Sequence, residues 1–549
     1  MPEIKSDKKQ YLIGKPSIIP AGAEDVDLET IADDLDALAE AGDGDAEAPA
    51  DEVLDRLTDE DDALFALVAR LSDASVDRLR AQHGDALIVE EDEELDICTI
   101  DPDFGEQDLS LLNTLPLGDD PISIKIKVVD ADGKGVRNAR VQLRGDTWVD
   151  AGVTNNNGVV TMTMFGESFS SMRLLYIKPS GGQWSHLINN PVLNANDNIV
   201  TLKPLSAFPA DNSGFPQTQL KSWGLVDMGL DGAGDPDADV RIAVIDSGLG
   251  ASHPDLEAGS GRDFGESDAP DATWKEDKSG HGTHVAGVCA ALNNAFGVRG
   301  FAPTSALSGL RIFPNAKNSK LIAALQWCIE NNVDVVNMSL GGKNRSRLVE
   351  QQVEKCFNSG VLMVAAAGNN KGPVLFPAAF ENVMAVAAIG KKGSFPETSA
   401  HQRQIGDHES DDGLYFSARF TCHGPEVNVC APGVAVISTI PNDAYAPMDG
   451  TSMACPHVAG LAARLLQFRP DIRAMPRGAA RARALFDAVI GSCRPLGIDP
   501  HYQGAGMPRL PASGGEPSPT PTPDGAAERV GKLLEDAIAI VENELLTDA

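Results

Sequence analysis

The pattern of hydrophobic and polar positions changes period several times along the chain, and each change marks an element or a boundary. Gln10 to Ile19 reads as a short strand, after which Leu28, Ile31, Leu35 and Leu38 recur at helical spacing. Beyond a Gly/Ala/Pro-rich break at 41–50, Leu64, Leu67, Val68 and Leu71 predict a second helix, and Ala86-Leu87-Ile88-Val89 predicts a closing strand that runs into the acidic stretch 90–94. Residues 1–96 are therefore expected to form a small α+β unit, with an acidic, proline-bearing linker over 97–120. At Ile122 the period drops to two: Ile122, Ile124, Ile126 and Val128 alternate with Ser123, Lys125 and Lys127, as in a strand with one buried face. The hairpin dipeptides Asp132-Gly133 and Asn157-Gly158 follow, which predicts an all-β sandwich over 121–204.

From about residue 215 to 510 the pattern becomes βαβ. Apolar strands at 240–245, 333–338 and 361–366 alternate with longer helical stretches, the mark of a doubly wound, parallel α/β sheet. A Pro-rich linker (511–524) and an acidic amphipathic helix (525–549) with Leu533, Leu534, Ile538 and Val541 close the chain. This division agrees with the three or four domains expected of 549 residues.

Charge sharpens the picture. Of the 35 net negative charges, 29 fall between residues 21 and 120, where 33 acids face four bases. Such acidity excludes nucleic-acid binding through a basic surface, and its confinement to one region argues against general salt adaptation. No run of about 18 apolar residues occurs, so no membrane span is expected, and Tyr11-Leu12-Ile13 is too short for the core of a signal peptide. Eight scattered cysteines fit reduced, mostly buried thiols, although Cys422 and Cys430 are able to pair if the chain is exported.

Three residues suggest nucleophilic chemistry. Asp246 ends an apolar strand, where its charge needs a partner. His281 lies in Gly280-His281-Gly-Thr-His284, a glycine-flanked helix start, and is a candidate general base. Ser452 lies in Gly450-Thr-Ser452-Met-Ala-Cys455-Pro-His457, a turn into an apolar helix whose N-terminus favours developing negative charge. A serine nucleophile needs a base and a carboxylate to orient it, and these residues supply all three. His284, His457 and Cys455 are read as packing residues.

At this point residues 217–510 resemble the subtilisin-like serine proteases, the subtilases, in which the triad runs in the order Asp, His, Ser. By that resemblance Val364-Ala-Ala-Ala-Gly-Asn369 ends in an asparagine that donates, with the Ser452 backbone N–H, into an oxyanion hole. Ser339, Leu340, Gly341 and Gly342 match the segment that binds an extended substrate as a strand, and small residues there and at Ala366 and Ala367 suggest room for a sizeable apolar side chain before the scissile bond. Structural Ca2+ is implied as well, with the carbonyls of Leu292, Phe296 and Val298 and the side chains of Asn294, Asp255 and Gln219 as ligands.

The stretch Arg78-Leu79-Arg80 … Ala86-Leu87-Ile88-Val89-Glu90-Glu91-Asp92 resembles the end of the family's propeptide, which implies an autoprocessed zymogen with its own N-terminal region as inhibitor. The family joins propeptide and catalytic domain directly, whereas here the sandwich intervenes, so cleavage is expected near 95–120, near 205–217, or at both. Asp130-Ala-Asp-Gly-Lys-Gly-Val and Gly152-Val-Thr-Asn-Asn-Asn-Gly resemble immunoglobulin-like repeats appended to secreted enzymes, which implies a spacer or adhesive role.

The resulting expectation is a monomeric serine endopeptidase acting on polypeptides through an acyl-enzyme. A non-catalytic scaffold and a protease delivered to one partner by its sandwich are the competing classes. Lack of a signal peptide points to the cytoplasm, whereas the propeptide-like unit and calcium loop fit secretion by a non-Sec route.

Overall fold

The computed structural model describes residues 9–18, 25–41, 51–59, 61–100, 121–236, 238–265 and 270–511. The 101–120 part of the expected linker, nearly all of the Pro-rich segment and the C-terminal helix lie outside the described residues.

Four antiparallel strands form the N-terminal unit in the spatial order Glu52–Thr58, Leu64–Leu71, Lys9–Gly14, Ile88–Glu91, with helices Leu28–Ala41 and Asp73–His83. Here the sequence expectation needs correction, because Leu64–Leu71 is a strand and the second helix begins at Asp73. The apolar run is almost continuous because both faces of this strand are covered. Leu67, Ala69 and Leu71 pack with Ile31 and Leu35 of the first helix, while Ala66 and Val68, with Leu12 and Ile88, join the core of the α/β domain. A run buried on both sides carries no period-two signal, so spacing alone does not separate it from a helix.

Two sheets share one apolar interior between residues 122 and 201. One has the order His186–Asn189, Leu174–Lys178, Arg140–Arg144, Val149–Val153; the other is Asn198–Thr201, Ile122–Val129, Val159–Met164. The alternating Ile124, Ile126 and Val128 all point inward. A loop of this sandwich is seated on the α/β domain: Trp184 is 1% exposed and meets His401 edge-on at 5.7 Å, and the Gly182 and Leu187 amides donate to the Tyr445 and Thr398 carbonyls, each at 2.8 Å.

The α/β domain is built on a nine-stranded sheet. Ala258–Asp263, Ala306–Arg311, Arg241–Asp246, Val335–Met338, Leu362–Ala366 and Val383–Lys391 are parallel neighbours in that order. Val427–Pro432 pairs parallel with Val383–Lys391, and Tyr415–Ala418 and Ile405–Glu409 extend that edge antiparallel. The carboxyl ends of the central strands and the buried helix Thr451–Phe468 bring the candidate residues together. All eight cysteines are free, so Cys422 and Cys430 are both buried thiols.

Candidate active site

Asp246 is the last residue of its strand and is 1% exposed. Its Oδ1 accepts from the Ser247 amide at 2.7 Å and lies 2.7 Å from Nδ1 of His281. His281 opens the helix His281–Ala290, and Gly280 before it is left-handed at φ +78°. The helix start fits against the strand end only because residue 282 is glycine: a methyl group there would lie 2.1 Å from the Gly248 carbonyl oxygen. Asp277, which sequence reasoning missed, fixes this turn by accepting from Gly280 N at 2.9 Å, Thr283 N at 2.8 Å and the hydroxyls of Thr283 and Ser247 at 2.6 and 2.9 Å. No motif signal marks it, since its role is a local capping network.

Ser452 is the second residue of the helix Thr451–Phe468 and is fully buried. Its Oγ donates to the Ser339 carbonyl at 2.9 Å, while Nε2 of His281 is buried without a partner among the described residues, so the hydroxyl is not bonded to the ring in this arrangement. Asn369 accepts through Oδ1 from the amide and hydroxyl of Thr451 at 3.0 and 2.8 Å. Those two bonds orient the amide, leaving Nδ2 as a buried donor with no partner.

The cleft is filled by the chain itself. Asp96–Ile97 pairs antiparallel with Leu340–Gly341, Glu94 bridges to Lys317, and Leu95 N donates to Ala316 O at 2.9 Å. The Cys98 amide donates to Ser339 O at 3.2 Å, and the Cys98 carbonyl accepts from Ser452 N at 3.0 Å. One residue beyond, the Thr99 hydroxyl and the Ile100 amide donate to Asp449 O at 3.1 and 2.8 Å. Residues 97–100, expected to begin a linker, are therefore seated in the cleft, Ile97 as the end of the two-residue strand and Ile100 in a bridge to Asp449. Ser339, Leu340, Gly341 and Gly342 all lie along it, whereas Ala366 is fully buried at the end of its own strand.

His284 and His457 serve packing, as expected. Nε2 of His284 faces the Val436 and Ala446 carbonyls at 2.9 and 3.1 Å, and Nδ1 of His457 faces Met453 O at 2.7 Å. Burial pushes these imidazoles down from the ordinary value, to about 3 for His284 and about 4 for His457. Below pH 6.5 the unfolded chain takes up a proton at each ring that the folded chain refuses. Stability is thus full above pH 6.5 and falls as pH drops toward the folded values, by about 1.4 kcal/mol per pH unit for each histidine. Urea melts between pH 7 and pH 5 are expected to show this fall; a flat profile there would contradict it. Cys455 is buried with Sγ against the Val364 carbonyl, and burial raises its thiol well above the usual range.

At the expected calcium loop, four oxygens converge on the Gln219 amide. Its Nε2 donates to Leu292 O at 2.8 Å and to Phe296 O and Val298 O at 3.3 Å, with Asn294 Oδ1 at 3.5 Å. Asp255 closes the ring, accepting from Asn294 Nδ2 and Val298 N at 2.9 Å and from the Tyr445 hydroxyl at 2.8 Å. Gly297 is required there, since a methyl group would lie 1.9 Å from Asp255 Oδ2. Carbonyl and amide oxygens converging on one point, with a carboxylate bonded to the same loop, are the kind of donors calcium takes, and a half-turn of the Gln219 amide adds a fifth oxygen. The residues fit the ion, although among the described residues no group of three His, Cys, Asp or Glu side chains is arranged to hold a metal.

A buried Asp–His pair beside a helix-borne serine, with the serine's backbone N–H on a bound peptide carbonyl and a buried amide donor left over on Asn369, is the arrangement of serine endopeptidases on a doubly wound sheet. Comparison with known proteins carries this further. The subtilase family model matches residues 237–493. Subtilisin of Bacillus pumilus is 39% identical over 262 residues, 46% of this chain and 84% of that protein. Subtilisin DY of Bacillus licheniformis is 38% identical over 43% of this chain and 80% of its own, and subtilisin E of Bacillus subtilis is 38% identical over 46% and 61%. The chain belongs to the subtilase family and is a serine endopeptidase.

Proposed function

We propose that this endopeptidase uses Ser452, His281, Asp246 and Asn369, and that the chain up to Cys98 is a propeptide whose last residues, 94–98, lie in the cleft as substrate and inhibitor until the Cys98–Thr99 bond is cut. The single observation that carries this reading is the Cys98 carbonyl on the Ser452 amide, with the preceding residues paired as a strand. Ser452 Oγ turns from Ser339 O to His281, loses its proton to Nε2 and attacks the Cys98 carbonyl carbon. The oxyanion is held by Ser452 N–H and Asn369 Nδ2, and Asp246 stabilises the imidazolium. As the bond to the Thr99 nitrogen breaks, His281 returns its proton to the new amine, and water then releases the acyl group from Ser452. The same steps serve polypeptides in trans.

Two leader carboxylates favour the inhibited state. Glu90 accepts from Arg347 N and Leu348 N at 3.0 and 3.2 Å and from the Ser346 hydroxyl. Asp92 accepts from Ser319 N at 2.9 Å and its hydroxyl at 2.6 Å. Both thereby satisfy free donors at the starts of helices Arg347–Asn358 and Asn318–Glu330, where negative charge is favoured. The sandwich, of the immunoglobulin-like kind, stays with the mature enzyme as a spacer, because the buried Trp184 anchors it next to His401. A fluorophosphonate probe tests the triad: it is expected to label the matured protein at Ser452 and to leave His281→Ala unlabelled. Equal labelling of both, or of neither, would count against it.

Gln219, Asp255, Asn294 and the Leu292, Phe296 and Val298 carbonyls would hold calcium, which supplies positive charge to this oxygen cluster and ties the loop to the body of the domain. Calcium at about a thousand times its Kd is expected to stabilise the protein by about 4 kcal/mol. Thermal melts with calcium and with chelator measure this, and Asp255→Asn is expected to erase the difference. Identical wild-type melts in the two buffers would contradict the site.

A further inference from the structure

The slot that receives the residue before the scissile bond is shallow in this chain. Gly341 faces both Cys98 and Leu375, and Gly368 faces Leu375 from the other side. A methyl group built on Gly341 would lie 3.4 Å from Cys98 Sγ, but also 3.0 and 3.2 Å from Cβ and Cδ1 of Leu375. Built on Gly368, it would lie 2.6 Å from Leu375 Cγ and 2.8 Å from Cys422 Sγ. Leu375 therefore lies between the two glycines. Its backbone holds it there: Leu375 N donates to Ala367 O at 2.9 Å, and the next residue, Phe376, exchanges two bonds with Gly342 at 2.8 and 2.9 Å. These bonds fix the backbone from which the leucine side chain projects.

The occupant agrees with the slot. Cys98 is small and 3% exposed, and its Sγ faces Gly341, the same glycine that Leu375 packs against. From this geometry we infer that Leu375 is a specificity-determining residue, and that the protease cleaves after small uncharged side chains rather than after the sizeable apolar ones that the small residues at 341, 342, 366 and 367 suggest on their own. This rests on the proteolytic reading above and narrows it to a class of substrate. A bulky aromatic residue has to displace Leu375 or remain outside the slot, and a pocket's rejection of even one excess methylene is worth about tenfold or more in kcat/KM.

Maturation of the full-length chain provides the test. Cys98→Ala is expected to mature, and Cys98→Phe to mature at least about tenfold more slowly than wild type. The double variant Cys98→Phe/Leu375→Gly is expected to recover most of that loss, with Cys98→Phe/Leu375→Ala as a milder second suppressor whose fold is checked by its Tm. On matured enzyme, the ratio of kcat/KM for peptide anilides with Ala and with Phe before the scissile bond is expected to favour Ala in wild type and to shift at least about tenfold toward Phe in Leu375→Gly. An active wild type that prefers Phe, or a Cys98→Phe delay that neither Leu375 variant relieves, would overturn the slot alone. A wild type that neither matures nor hydrolyses any anilide would overturn the triad assignment and the slot with it.

Discussion

Ser452→Ala is expected to lose casein hydrolysis by on the order of 10⁶-fold, the figure known for removing the nucleophile of subtilisin itself, while folding normally. The substitution deletes one hydroxyl, whose only bond among the described residues is to Ser339 O at 2.9 Å. That carbonyl also accepts from the Cys98 amide, so no buried acceptor is stranded and the change in stability is expected to stay within about 1 kcal/mol. The backbone N–H at 452 survives and continues to hold the Cys98 carbonyl. Because an uncut leader itself blocks the cleft, the comparison is made on Ser452→Ala freed of residues 1–98 by added wild-type enzyme; loss of turnover there, with a Tm equal to that of matured wild type, is the signature of a nucleophile. Activity above about 1% of wild type in a steady-state assay would be incompatible with the nucleophile being Ser452.

Asp246→Asn carries the second largest effect, a fall of about 10⁴-fold in kcat, by analogy with the same change in other triads. An asparagine keeps Oδ1, so it continues to accept from Ser247 N and to face His281 Nδ1, both now at 2.7 Å. What disappears is the negative charge beside a ring that becomes imidazolium during attack, in a site with Asp246 1% and His281 3% exposed. Water does not replace that charge, so the transition state loses its stabilisation while the ground state keeps its geometry. A fall in kcat with little change in KM is the expected division, and a loss confined to KM would contradict this role.

The placement of Asp246, His281 and Ser452 was legible because each sits in a short glycine-bearing motif whose local geometry is written in adjacent residues: Gly280 and Gly282 around His281, Gly450 before Ser452. The places of Asn369 and of the 292–298 loop around Gln219 were legible for the same reason. The N-terminal unit was only half legible, since Leu64–Leu71 is covered on both faces and the second of these covers is a different domain. Spacing in one segment records no such partner. Pairing of Asp96–Ile97 with Leu340–Gly341 was equally hidden, because a two-residue strand has no period and its register is set by a distant segment. Leu375 shows the same limit at the scale of one pocket: the small residues that suggested depth are real, but the residue that fills the space arrives from another turn of the chain.

The most direct test of the account is the N-terminal sequence and intact mass of purified wild type beside Ser452→Ala. The expected wild-type product begins at Thr99 and retains the sandwich, while Ser452→Ala keeps residues 1–98. A wild type still at full length, or one whose new terminus falls within 205–217 so that the sandwich is lost, would contradict it.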